Sequence, residues 1–151
     1  MTFPSTADTD LGELTITRVF DAPRERVFKA FTDPDQLSRF WSPVGTSLPV
    51  DKIKVDARPG GVFETVMVAD ADGTEYPMSA VYLDVVEPEK IAFTVTGAGL
   101  VSTMTFSDLD GKTELVLHQT NVAAMFRSPE AVAGLNSSFD RLVELLASQA
   151  S

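Results

Sequence analysis

The sequence predicts an α+β fold in which a curved antiparallel sheet of about seven strands wraps around a long C-terminal helix. Three observations lead to this fold class. A segment near the N-terminus alternates apolar and polar residues, turn signals recur at short intervals between residues 50 and 120, and the last stretch repeats apolar residues every three or four positions. A long meander has one apolar face to cover, and the final helix is the element available to cover it.

One strand and two short helices are predicted before the meander. From Glu13 the segment ELTITRVF has the alternation of a half-buried strand and is rich in β-branched residues. Pro23 suits the first position of a helix, and Asp33-Pro34 interrupts the apolar stripe that follows it. A second short helix is expected to begin at that break. Its apolar residues are Leu37, Phe40 and Trp41.

Six further strands are expected between residues 50 and 120. Turn signals such as Asp72-Gly73 and Asp110-Gly111 separate them, and connections this short force neighbouring strands to run antiparallel. The strands are predicted at 50–56, 62–69, 76–86, 91–96, 100–107 and 113–120.

The last helix is predicted after a loop that contains Phe126. Ser128-Pro129-Glu130 combines an N-cap, a first-turn proline and an acidic residue that suits the helix dipole, and the helix is expected to run to about residue 147. Its apolar positions form one stripe, which must be buried against the sheet. The stripe consists of Val132, Leu135, Phe139, Leu142 and Leu146, with Asn136, Asp140 and Glu144 on the opposite side.

Length, composition and charge exclude several classes of function. The 151 residues suit one domain, expected at 13–148 after a flexible N-terminal tail at 1–12. Without cysteine the chain forms no disulfide or thiolate metal site, one histidine builds no multi-histidine site, and neither metal nor cofactor is expected. The formal charge of −10 opposes binding to nucleic acid. No secretion signal or membrane-spanning stretch is recognised, so a cytoplasmic protein without membrane insertion is expected.

Five ordered strings carry a family resemblance that extends over residues 13–147. They are TRVFDAPRERVFKAFTDPDQLSRFW (17–41), DARPGGVFE (56–64), DGTEY (72–76), VYLDVVEPEKIAFT (81–94) and GLNSSFDRLVELL (134–146). Together they resemble the START-like helix-grip (SRPBCC) superfamily of birch pollen allergens, lipid-transfer domains and polyketide cyclases. Within it, the chain is similar to the bacterial branch related to the C-terminal domain of the activator of the heat-shock-protein-90 ATPase. Phe40-Trp41 stands where paired tryptophans are usual, and Leu135 where one tryptophan is usual.

The resemblance implies a cavity between the last helix and the concave sheet, with the short helices as one wall. Large side chains on the predicted strands and His118 are the candidate ligand-binding residues, although core packing is the ordinary role of each apolar one. His118 shares a strand face with Val116 rather than with Leu115 and Leu117, and it is the one candidate for a polar group inside the cavity. The candidates are Trp41, Phe63, Tyr82, Phe93, Met104 and His118, with Phe106 as a further large side chain nearby.

Arg18 is in phase with Ile16 and Phe20, so its guanidinium is expected on the apolar side of the first strand. A buried guanidinium needs a carboxylate or several carbonyl groups. A structural ion pair is the favoured interpretation, with Glu64 as one possible partner. The alternative is that Arg18 anchors an anionic group of a ligand.

Motifs of covalent and phosphate chemistry are weak in this chain. The two Asp-x-Asp-Gly segments that begin at Asp70 and Asp108 lack the glutamate and glycine spacing of calcium loops, and no helix follows Arg58-Pro59-Gly60-Gly61 to cradle a phosphate. Together with the cavity that the resemblance implies, this favours as the leading hypothesis noncovalent binding of an apolar or amphipathic small molecule of lipid, polyketide or aromatic type, with no catalytic residue assigned. The alternatives are a chaperone ATPase-activating interaction protein and a cyclase or hydrolase that uses His118 or a carboxylate in the cavity.

Overall fold

The computed structural model describes residues 11–43, 45–97, 99–124 and 127–149, so that Phe126 and most of the predicted tail lie outside the described residues. The strands are β1 (Leu11–Phe20), β2 (Thr46–Ser47), β3 (Lys54–Val55), β4 (Val62–Ala69), β5 (Glu75–Val86), β6 (Lys90–Val95), β7 (Val101–Leu109) and β8 (Lys112–Ala123). The helices are α1 (Arg24–Thr32), α2 (Pro34–Phe40) and α3 (Pro129–Gln149). The predicted α+β helix-grip fold is confirmed.

All strand pairs are antiparallel, and the sheet order is β1-β8-β7-β6-β5-β4-β2, with β3 also paired to β4. The consecutive strands β4 to β8 are neighbours because their connections are short. At the β7–β8 turn, Asp110 and Gly111 both have positive φ (53° and 87°), as a two-residue hairpin of the favoured hand requires. Helices α1 and α2 lie between β1 and β2, and they carry the chain from one edge of the sheet to the other.

The predicted strand at 50–56 is wrong for most of its length. Val50–Lys52 forms a turn of 3₁₀ helix after Pro49, and only Lys54–Val55 pairs with β4. Local apolar content suggested a full strand there, but few of these residues find a ladder partner at this edge of the sheet. The first strand also starts at Leu11, two residues before the predicted start.

The C-terminal half of α3 is the part of the helix that enters the core. Leu142 is fully buried, and Phe139, Leu145 and Leu146 are nearly so, whereas Leu135 in the N-terminal half is only partly buried. Because Arg26 on α1 donates from Nη2 to the Leu146 carbonyl oxygen (2.9 Å), the end of α3 gains a cationic partner for its unpaired carbonyl groups.

Arg18 connects β1 to α3. Its Nη1 donates to Asn136 Oδ1 (3.1 Å) and its Nη2 to Asp140 Oδ1 (2.9 Å), while the guanidinium lies 6.0 Å from the centre of the Phe139 ring. The expected structural ion pair is present, but Glu64 as its partner is wrong. β1 lies at one edge of the sheet and β4 near the other, and the helix that crosses the sheet supplies the carboxylate instead.

Within the described residues, no helix has both the length and the apolar character needed to cross a membrane.

Candidate functional site

A cavity of about 640 Å³ lies between the N-terminal half of α3 and the sheet. This volume is in the range that holds a drug-sized ligand, roughly 300–1,000 Å³. Its lining combines apolar side chains from four parts of the chain with a few polar ones. The lining residues are Trp41, Pro43, Met67, Leu117, Gln119, Ser128, Glu130, Ala131, Gly134, Leu135, Ser138 and Phe139.

Small residues on α3 leave the space for this cavity. Ala131, Gly134 and Ser138 all face the cavity, because positions separated by three, four or seven residues share one face of a helix. A β-carbon added at Gly134 would lie 3.7 Å from the side chain of Pro43, which is ordinary van der Waals contact. The glycine is therefore not required by a close approach, and its effect is to leave space.

The sheet side of the cavity comes from two strands that the curvature brings to face the same helix. Leu117 and Gln119 are two residues apart on β8 and so point to one face, and Met67 extends from β4. In the β7–β8 ladder, Leu117 pairs with Met104 and Gln119 with Ser102. Met104 and Ser102 are both buried, and as ladder partners they lie beside the lining residues on the same face of the sheet.

Arg141 holds the loop wall of the cavity, which contains Trp41 and Pro43. Its Nη1 donates to the carbonyl oxygen of Ser42 (3.1 Å), to Ser42 Oγ (3.1 Å) and to the carbonyl oxygen of Thr46 (3.2 Å). One guanidinium thus ties both ends of this loop to α3. Arg141 is a positioning residue for the wall and does not itself line the cavity.

We expect Arg141→Met to lower the free energy of unfolding by about 2–3 kcal/mol, because the loop loses hydrogen bonds to a charged donor while two carbonyl groups lose a partner. The emission of Trp41, the only tryptophan, should move to longer wavelength as this wall loosens. Urea titration followed by fluorescence measures both effects. Arg39→Met is the matched control, because Arg39 is exposed and forms no hydrogen bond or ion pair within the described residues, and its cost should stay below about 0.5 kcal/mol. Equal midpoints for the two variants would contradict the role of Arg141.

Few of the lining residues that the structure describes are polar, and one of these is charged. Glu130 lies in the exposed first turn of α3, and Gln119 Nε2 donates to Ser102 Oγ at 3.4 Å. Ser138 is 7% exposed, and its hydroxyl has no hydrogen-bond partner in the part of the chain that the structure describes. The described lining contains no lysine, arginine or histidine.

The family described as Activator of Hsp90 ATPase homolog 1-like protein matches residues 21–147, which is most of the chain. The chain belongs to this family. This membership and the observed fold confirm the predicted helix-grip superfamily and its branch. No protein of curated function matches the sequence.

Solved bacterial structures share the fold over nearly their whole length. A protein from Chromobacterium violaceum is 28% identical with a TM-score of 0.82, and the match covers 88% of this chain and 96% of the other. The AHSA1 protein from Silicibacter pomeroyi is 25% identical with a TM-score of 0.79, covering 91% and 99%. A protein from Mycobacterium smegmatis is 26% identical with a TM-score of 0.77, covering 91% and 92%. The chain therefore shares its fold with each of these three proteins over most of both chains.

Of the six candidate residues, Trp41 lies on the cavity wall and four lie in the core behind it. The Phe63 ring is 5.9 Å from Trp41, 5.6 Å from Tyr82 and 5.2 Å from Phe93, measured between ring centres. The residues Phe63, Tyr82, Phe93 and Met104 are each 2–3% exposed, whereas Trp41 is only partly buried. Burial raises the pKa of the Tyr82 phenol, so this group stays neutral at physiological pH. The core residues support the cavity without lining it.

His118 lies on the outer face of the sheet. Its neighbour Leu117 lines the cavity, and alternation along β8 turns His118 the other way. The imidazole Nε2 lies 2.8 Å from Glu13 Oε1 on β1, and the side chain is 43% exposed. The interpretation of His118 as a polar group inside the cavity therefore does not fit the observed register.

Most of the lining residues were not among the predicted candidates. Small residues at helical spacing on α3 were an available signal for Ala131, Gly134 and Ser138, because an apolar stripe interrupted by small residues leaves room against a sheet. Gln119 and Met67 had no comparable signal. In the described part of the chain, no cluster of three or more histidine and acidic residues is arranged to hold a metal ion.

Proposed function

We propose that this protein binds one apolar or amphipathic small molecule, of lipid, polyketide or aromatic type, noncovalently in the cavity beneath α3. The observation that carries the proposal is a space of about 640 Å³ with eight apolar residues among its twelve lining residues. Burial of apolar ligand surface would contribute about 25 cal/mol for each Å² removed from water. Helix-grip proteins of several kinds hold apolar ligands at the corresponding place, which supports the same use here.

The chemistry of the lining favours binding over catalysis. Glu130 is the only titratable residue among the described lining residues, so this lining offers no pair of groups for combined general acid and base catalysis. The single histidine faces away from the cavity. We therefore infer a binding module and assign no catalytic residue.

We expect titration with a panel of fatty alcohols, polyketides and aromatic compounds to change the emission of Trp41 saturably at one equivalent for at least one compound. The same compound should raise the thermal midpoint, because it binds the folded state only, and calorimetry should show a negative heat-capacity change. Both effects arise from the same buried apolar contact, so they should appear together.

Ala131→Phe tests whether the cavity is the site. The phenyl group would occupy space beneath α3 and should abolish the fluorescence change. Ala133→Phe is the matched control, since Ala133 is exposed on the same helix and lies outside the lining, and it should leave binding unchanged. The family description also suggests an interaction with a chaperone ATPase, which would use the outer surface. A panel without any saturable response, together with micromolar chaperone binding that survives Ala131→Phe, would replace the ligand-binding proposal.

A further inference from the structure

We propose that the cavity selects an uncharged ligand that carries a hydroxyl or carbonyl group, with Ser138 on the helix side and Gln119 on the sheet side as the residues that recognise this group. The inference rests on the proposed binding function and adds the chemical class of the ligand. The basis of the inference is that both side chains line the cavity and have donors or acceptors that form no hydrogen bond within the described residues.

Ser138 differs from the other serines on α3. Ser137 Oγ donates to the Gly134 carbonyl oxygen (2.6 Å) and Ser148 Oγ to the Leu145 carbonyl oxygen (2.7 Å), which is the usual way a helical serine satisfies its hydroxyl. Ser138 Oγ has no such partner among the described residues, although the side chain is 93% buried and borders the cavity. A buried hydroxyl without a partner is unfavourable, and a ligand group could remove that penalty.

Gln119, on the sheet side of the cavity, offers a further hydrogen-bond donor and acceptor opposite Ser138. Its Nε2 donates to Ser102 Oγ at 3.4 Å, and Ser102 is completely buried beside it on β7. This bond orients the carboxamide but uses one of its two N–H groups. The amide oxygen makes no hydrogen bond within the described residues. A ligand thus meets a hydroxyl that can donate or accept on one wall, and an amide that can do both on the other.

The charge of the lining indicates which ligand groups Ser138 and Gln119 could recognise. The described lining offers no cation to a carboxylate or phosphate, and its one charged residue is Glu130. An anionic head group would lose its hydration without gaining a counter-ion, inside a protein whose net charge is −10. Hydroxyl, ketone and amide groups carry no such penalty, and they match the unused donors and acceptors.

Decanol and decanoate at neutral pH test the inference, because they share an alkyl chain and differ in the charge of the head group. Naphthalenemethanol and naphthoate form a second, aromatic pair. Trp41 emission measures binding of each. We expect the alcohol of at least one pair to bind about tenfold more tightly than its carboxylate. Ser138→Ala should weaken alcohol binding about fivefold, the loss expected for one hydrogen bond, while the thermal midpoint of the free protein stays the same or rises.

Two controls separate recognition from a general structural effect. Ser148→Ala removes a hydroxyl from the same helix outside the cavity, and Thr120→Val alters the residue that follows Gln119 on β8 without touching the lining. Neither should change alcohol binding, whereas Gln119→Leu should weaken it.

Carboxylate binding as tight as alcohol binding, or alcohol binding unaffected by both Ser138→Ala and Gln119→Leu, would overturn this inference. Failure of both probe pairs while other compounds of the panel bind would also overturn it and leave the binding function standing. If no compound binds at all, the binding function itself fails.

Discussion

Leu142→Ala is expected to lower the free energy of unfolding by about 2–5 kcal/mol, because the variant loses the transfer free energy of the removed atoms and leaves a cavity that the surroundings fill only partly. Leu142 is fully buried in the half of α3 that enters the core, between Phe139 and Leu146 on the same stripe. Urea unfolding followed by circular dichroism measures the loss. The slope of the transition should stay the same, because the variant exposes about as much surface on unfolding.

Two neighbours on α3 are the controls for this prediction. Val143 is 42% exposed and Glu144 is exposed, so that Val143→Ala and Glu144→Ala should each cost less than about 0.5 kcal/mol. Comparable losses for all three variants would mean that α3 buries a different face from the one described.

Gly61→Ala is expected to destabilise the protein by about 3 kcal/mol or more. A β-carbon at this position would overlap the backbone oxygen of Asp56, a contact that no real side chain makes. The turn cannot shift easily, because the Gly61 N–H donates to the Arg58 carbonyl oxygen (2.8 Å) and the Gly61 carbonyl oxygen accepts from the Tyr82 N–H (2.9 Å). Relief of the overlap therefore breaks the hydrogen bonds that join this turn to β5.

Gly134→Ala makes the same chemical change but is expected to stabilise the protein. Its added methyl group meets only ordinary contacts, and alanine is favoured over glycine inside a helix by up to about 1 kcal/mol. The thermal midpoint should therefore rise for Gly134→Ala and fall sharply for Gly61→Ala. A normal midpoint for Gly61→Ala would show that the turn around Asp56 is looser than the structure indicates.

A local sequence pattern could predict which face of a strand a candidate site residue occupies, but not whether that residue lines the cavity. Alternation on the last strand already separated His118 from Leu117, and the structure confirms that separation. Which of the two faces the cavity, and whether Phe63, Tyr82 and Phe93 line the space or fill it, depends on how closely distant elements approach. The spacing of residues along the chain does not predict the distance between elements that are far apart in sequence.

Features that arise from neighbours along the chain could be predicted before the fold was known. These are the glycine and aspartate turns with positive φ, the antiparallel meander that short turns impose, and the apolar stripe that buries Leu142. Three other features depend on tertiary packing: the pairing of Arg18 with Asp140, the short strand after Pro49, and the cavity between α3 and the sheet. Turns and periodicity follow from local backbone sterics and side-chain direction, whereas ion pairs, strand edges and cavities depend on residues that only the fold brings together, such as Arg18 and Asp140, which are 122 positions apart.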